Sequence, residues 1–270
     1  MSAKYQIGGS ATINGVIMIN TARGKVSRAA RGIDGTISVK ELPLANKAMR
    51  FYRSGIEKPF SKIPVLREIF KILLMFFIVV TSYMTGIAEA LSFKKRWSIR
   101  RIISVVLILA GLYVFIFLDD LYSIAMLILL ILYFHKKIAL MLRYHGAEHK
   151  CINMYENVND LSGMSVELAQ SFPRTHGRCG TNIIFIMIPL SIIYYLVVEQ
   201  GLALMTAGNA ADFIGSVVLL GISIELFRLF QKPLMRWILK PGILLQKYVT
   251  TKEPDKSQLE VAIKALEAVM

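Results

Sequence analysis

The chain predicts a mainly α, polytopic membrane protein, and three observations carry that prediction. Hydrophobic residues fill 55% of the 270 positions at a mean hydropathy of +0.54, too apolar for a soluble domain unless several long runs find a dry environment. Five apolar runs follow one another between Ile72 and Phe230. The net charge of +14 gathers between those runs, as in cytoplasmic loops beside anionic lipid. A lipid bilayer is therefore the expected partner. Nucleic acid is not, because no basic helix is interleaved with aromatics.

Residues 1–68 form a basic N-terminal segment. Two alternating stretches, Val26 to Arg31 and Thr36 to Lys40, flank Gly32-Ile33-Asp34-Gly35, and an Asp-Gly pair between alternating runs predicts a β-hairpin. The first twenty residues lack a basic start followed by an apolar core, so a cytosolic N terminus is expected. Pro59 and Pro64 then break the path into the membrane domain, residues 69–250.

The apolar runs are Ile72–Phe93, Ile102–Leu118, Leu121–Phe134, Ile183–Val198 and Phe213–Phe230. A spanning helix needs about 20 apolar residues, and the third run reaches that length through Ile138–Leu142 if His135, Lys136 and Lys137 snorkel. Asp119-Asp120 and the stretch 199–212 contain acids without Lys or Arg, whereas 94–101, 135–143, 174–178 and 228–240 are basic. Acidic loops outside and basic loops inside give about four alternating spans from residue 102 onward. The first run has basic sequence on both sides and contains Gly86 and Glu89, which favours a re-entrant or interfacial helix, with a fifth span as the alternative. The tail, 251–270, carries an amphipathic pattern from Asp255 to Val269 with Pro254 at its start; it is expected to dock on the cytoplasmic part. Both termini are then cytoplasmic, in a multi-pass protein of the inner membrane.

A cytoplasmic loop region, 143–181, holds the candidate chemistry. In His145-Gly146-Ala147-Glu148-His149 the two imidazoles and the carboxylate share one helical face. This His-x-x-Glu-His spacing recurs in inverted zinc peptidases, where the histidines bind Zn²⁺ and the glutamate moves the proton. His176-Gly177-Arg178-Cys179 ends just before the fourth run, on the same side of the membrane. His145, His149, His176 and Cys179 thus compose four candidate metal ligands of the types that suit zinc, with Glu148 as the proton carrier. A solvated His pair and a small buried thiol are the plainer readings of the same residues. Cys151 and Cys179 are too few for a disulfide framework, so reduced thiols are expected. Glu225 lies inside the last run with Arg228 one turn later; it is either an intrahelical pair or an outer partner that orients a metal-bound imidazole. Tyr144 and Glu156 are weaker candidates, and Gly8-Gly9-Ser10 reads as a turn before it reads as a phosphate cradle.

Taken together, Gly8-Gly9, Gly15-Val16, Tyr144 to Lys150, His176 with Arg178 to Thr181, Glu225 with Arg228, Pro241-Gly242 with Gln246, Thr250-Thr251 with Glu253-Pro254, and Gln258 to Ala262 resemble the bacterial YqhQ-like family. Those membrane proteins are of unknown function and are commonly labelled metal-dependent enzymes, so the resemblance implies a bound metal over nearly the whole chain. The family's opening motif usually carries glutamine, glutamate and arginine where Ser10, Asn14 and Ile19 stand here. An obligatory glutamate at the second of these would leave this chain impaired.

The expectation is a divalent metal ion, zinc by ligand type, serving hydrolytic chemistry at the cytoplasmic membrane face on a lipid-linked or peptide substrate. A closed four-ligand site in a non-enzymatic assembly or regulatory protein is the second reading. A metal-ion transporter ranks last, since no internal repeat is visible and Glu225 is the one acid well inside a run from 102 onward.

Overall fold

The computed structural model describes residues 7–51, 99–117, 120–158, 163–194, 196 and 209–270; the re-entrant or interfacial helix expected at 72–93 lies outside them. The protein is mainly helical, with a small antiparallel sheet near its N-terminal end. Strands β1 (Ile7–Thr12), β2 (Gly15–Asn20), β3 (Lys25–Arg31) and β4 (Ile37–Glu41) pair in sequence order. The hairpin anticipated around Asp34-Gly35 is β3–β4, and Gly35 takes φ +83°, the left-handed conformation that glycine adopts without steric cost.

The helices are α1 (Pro43–Phe51), α2 (Ile99–Phe117), α3 (Asp120–Asn157), α4 (Val166–Ser171), α5 (Thr181–Tyr194), α6 (Asn209–Phe230), α7 (Lys240–Leu245) and α8 (Lys256–Glu267). A 3₁₀ segment, Pro233–Leu239, precedes α7, and a π-helical turn, Gln246–Thr250, follows it.

Every residue of β2 is buried, because the sheet is covered on both faces. Strand pairing puts Ile7, Gly9, Ala11, Val16, Met18, Ser27 and Ala29 on one face, and this face packs on α3 and α8. Ile17, Ile19 and Val26 point the other way, into a smaller core with Leu42 and Ala45 at the start of α1. A two-sided strand loses the alternation that marks a half-exposed one, which is why β1 and β2 were not visible in the pattern.

The amphipathic tail becomes α8. Asp255 caps it by accepting from the Ser257 N–H at 2.9 Å, and Gln258 Oε1 accepts the Asp255 N–H at 2.9 Å, a reciprocal cap that satisfies otherwise orphaned donors. Pro254 therefore sits just outside the cap and not within the first turn, as the pattern had suggested. Leu259, Ala262 and Leu266 are fully buried between α3 and the sheet, each leucine contributing about 1.5–3 kcal/mol. Ser27 Oγ donates to Ala265 O at 2.7 Å and Asn20 Nδ2 to Val269 O at 3.0 Å, tying strands from one end of the sequence to the helix from the other.

Helix α3 has 38 residues, about 57 Å at 1.5 Å per residue. Among the described residues it is the helix long and apolar enough to cross a membrane. Its first half is exposed and apolar, while its last four turns are enclosed by the sheet, α4 and α8. The hydrocarbon core of a bilayer takes about 20 residues, so a helix of this length can fill it and still leave the segment from Tyr144 to Asn157 over. Helix α2 runs beside α3, and at Gly111 a Cβ would lie 2.8 Å from Leu130 Cδ1. Helices α5 and α6 pack together over Ile186, Phe227 and Leu239.

Candidate metal centre

One helical turn separates His145 from His149 on α3, and their ring centroids lie 4.4 Å apart. His145 Nδ1 is 2.7 Å from Thr250 O, and His149 Nδ1 is 2.8 Å from Arg174 O. A carbonyl oxygen can only accept, so each Nδ1 carries the hydrogen and each Nε2 keeps its lone pair. Burial, with the His145 ring alongside, pushes the His149 pKa down to about 3, leaving it neutral at physiological pH, the form that ligates metal.

Cys179 comes to these rings from the loop before α5. Its Sγ lies 3.5 Å from His145 Nε2 and 3.3 Å from Thr181 Oγ1. Burial raises the Cys179 thiol pKa, and hydrogen bonds with Thr181 work against that rise. The ligand atoms of His145, His149 and Cys179 all fall within 4.8 Å of one another. A tetrahedral zinc shell holds its ligand atoms roughly 3.3–3.8 Å apart, a spacing that Cys179 Sγ and His145 Nε2 already meet and that no pair in the set exceeds by more than about 1–1.5 Å.

The loop is fastened by the turn of α3 that follows His149. Lys150 Nζ donates to Gln170 O at 2.8 Å and Phe172 O at 2.7 Å and pairs with Glu253 at 2.9 Å. Asn153 Nδ2 donates to Pro173 O at 2.8 Å and Thr175 O at 3.0 Å. On the opposite flank, Gly146 admits the chain after the π-helical turn: a Cβ there would lie 2.3 Å from Lys252 O, and the Lys252 N–H donates to Leu142 O at 2.9 Å. That approach delivers the Thr250 carbonyl to His145.

Glu148 points at the sheet. Its carboxyl faces Gly9 of β1, where a Cβ would come within 2.9 Å of Oε1. The side chain is 4% exposed, and Oε2 has no hydrogen-bond partner among the described residues. Burial raises its pKa to about 8, against the pull of His145 and with a further push from Cys179. A buried carboxyl with an unsatisfied oxygen is costly, and costs of this kind concentrate at functional sites. Gly9, Glu148, His145, His149, His176 and Cys179 all line one cavity of about 610 Å³.

His176 lines that cavity but is held differently. Its Nδ1 accepts the Arg178 N–H at 3.3 Å, so its Nε2 carries the hydrogen and faces Glu156 Oε2 at 3.3 Å. Arg178 pairs with the other oxygen of Glu156. The ring sits 5.9 Å from that of His149, and burial lowers its pKa to about 4. Of the four anticipated ligands, three converge and the fourth is the opposite tautomer, engaged with a carboxylate. Glu225 is 3.4 Å from Arg228, and neither lines the cavity.

Gly8-Gly9-Ser10 is strand, not turn, and forms the cavity wall. Asn14 lies in the β1–β2 turn, with Nδ2 3.4 Å from Arg31 O and Oδ1 3.4 Å from Arg28 Nη2. It is outside the cavity lining, so asparagine in place of a glutamate there removes no group from this site. Cys151 is buried in the main core, its thiol pKa pushed far up by burial. Gln246, which the family resemblance singled out without a role, accepts the His176 N–H through Oε1 at 2.9 Å while Nε2 donates to Asn182 Oδ1 at 3.2 Å. Residue type and spacing alone give no reason to assign a glutamine after an apolar run such a role.

The family model described as "Protein of unknown function (DUF1385)" matches residues 70–270. The uncharacterized protein YqhQ of Bacillus subtilis (strain 168) is 36% identical over 132 residues, 47% of this chain and 40% of that protein; the match spans under half of the relative's length. No solved structure matches.

Proposed function

We propose that this chain, which belongs to the YqhQ-like DUF1385 family of proteins of unknown function, is a multi-pass membrane protein that holds one divalent cation at its cytoplasmic face and catalyses hydrolysis there. The single observation carrying this reading is the pair of imidazoles whose Nδ1 atoms are tied to backbone carbonyls, so that two Nε2 lone pairs and a thiol face one point beside a buried, unsatisfied carboxyl. Imidazole and thiolate donors suit zinc, and three protein ligands leave a fourth position for chemistry. The ion would supply a Lewis acid at the cavity floor.

The chain's own residues would do the rest. Thr250 and Arg174 carbonyls fix the imidazole tautomers. A nearby divalent charge would drive Glu148, otherwise protonated, to its ionised form, letting it take a proton from the attacking water and return it to the leaving group. His176, anchored by Glu156 and Arg178, would donate from Nε2 at the cavity wall. The membrane reading rests on the exposed apolar half of α3 and on basic loops at the end of the molecule that carries the site, with α2, α3, α5 and α6 as spans.

The second reading is a structural metal in a non-enzymatic protein, favoured if His176 swings from Glu156 to close the shell. Metal analysis of the protein purified in detergent without chelator, then titrated with zinc, tests both. The expected result is about one equivalent in wild type, lost in His149→Ala and kept in Glu148→Gln, which loses cellular function. Wild type that binds no metal overturns the metal reading, and a fully functional Glu148→Gln selects the structural one.

A further inference from the structure

We propose that the apolar groove between α2 and α3 holds the hydrocarbon chain of an anionic lipid whose head group is the substrate at the candidate metal centre. The inference rests on the hydrolytic reading for what happens to the head, and on independent observations for where the chain lies.

The groove has a volume of about 530 Å³, with Ile108, Met126, Leu130, Ile131 and Phe134 among its walls. Along α3 it runs from Ser123 to Met141, about 27 Å of helix at 1.5 Å per residue, close to the ~30 Å of a bilayer's hydrocarbon core. Met141 is also part of the wall of the metal-centre cavity, so one side chain borders both spaces and the groove ends where the site begins. Ile13, at the tip of the hairpin whose β1 strand carries Gly9, also lines the groove.

Charge and polarity identify the occupant. Lys137 lies one turn before Met141, with Nζ 5.2 Å from the Phe134 ring centroid, which gives the last two turns of the groove a cation. A phosphate-bearing head entering from the groove would meet it first. A peptide fits poorly, because Ser123 and Lys137 are the polar side chains of the wall and helix backbones are already paired, leaving extended amide groups without partners. A hydrocarbon chain needs none.

The test uses the full chain in vesicles of phosphatidylglycerol and phosphatidylethanolamine containing phosphatidic acid with a diazirine on its acyl chain; adducts are mapped after illumination. Adducts should concentrate on Ile108, Met126 and Ile131, and Ile131→Trp should cut them about tenfold while Leu129→Trp, outside the groove, leaves them unchanged. If Ile131→Trp fails to fold, Ile108→Trp on the facing wall reads the same quantity. Lys137→Gln should lower labelling by the charged probe and not by a diacylglycerol carrying the same diazirine. Labelling spread evenly over outward residues such as Leu129 and Leu132 would mean bulk lipid only and overturn the proposal, as would groove residues that crosslink instead to another segment of the chain or to a second copy. The result does not depend on metal. Groove labelling in a wild type found to bind no metal keeps the groove and sinks the hydrolytic reading; labelling absent from the groove of a wild type that binds metal does the reverse.

Discussion

Leu121 to Phe134 and Tyr144 to Met154 are two stretches of the same helix, yet the apolar stretch is exposed and the one bearing His, Glu and Lys is buried. Leu127 and Leu132 are 57% and 62% exposed, whereas Glu148 and His149 are 4% and 2% exposed. In water this arrangement would be inverted. The contrast teaches that the two ends of α3 call for different surroundings: an apolar one for the first, lipid on the membrane reading proposed above, and for the second a protein head whose buried polar groups must find partners in one another, in backbone carbonyls or in an ion.

The sharpest way to break that contrast is a charge in the apolar half. Leu127→Arg should cost about 2.5–3.5 kcal/mol of insertion and deplete the membrane fraction; a shift within about 0.5 kcal/mol, as on an ordinary wet surface, would refute a lipid-facing half. Next comes the buried half. Gly146→Ala puts a Cβ against the Lys252 carbonyl and should lose about 1–3 kcal/mol in thermal unfolding, together with zinc affinity as the Thr250 carbonyl moves. Gly8→Ala, with nothing within 4 Å, is its neutral control. Asp255→Ala removes the α8 cap and should cost about 1 kcal/mol, read by hydrogen exchange as lost protection in α8 with residues 121–134 unchanged.

The smallest effect concerns pH. Burial opposes ionisation of Glu253, but hydrogen bonds and charge from Lys150 and Arg174 outweigh it and hold the carboxyl below its usual 4.5. Its contribution is therefore complete above that value and lost as pH falls through the lower, folded-state one. The group is largely exposed, so the slope should amount to less than about 1 kcal/mol, and Glu253→Gln should abolish it in acid denaturation curves.

The two halves also differed in how far they could be read in advance. Helical spacing alone brings His145 to His149, and loop charge brings Cys179 to the same side. The Asp-Gly hairpin and the amphipathic tail likewise follow from local pattern. Orientation does not. His176 differs from His149 in tautomer because of the Arg178 N–H two residues on and of Glu156, which only the fold brings to it. The groups aiming the two imidazoles are carbonyls of Thr250 and Arg174; every residue owns one, so no side-chain pattern announces them. In β1, Gly8-Gly9 read as a turn because its covering elements, α3 and α8, lie more than a hundred residues away.

The Ser27 hydroxyl that meets Ala265 has a consequence for biosynthesis. These residues are 238 positions apart, so at about 5–20 residues per second the sheet leaves the ribosome roughly 10–50 s before the helix that seals it. During that interval one face of β2 and β3 lacks its cover. Ribosome-bound chains halted before residue 256 should accordingly recruit holdase chaperones, and release of those chaperones would mark the moment the sheet gains its second cover.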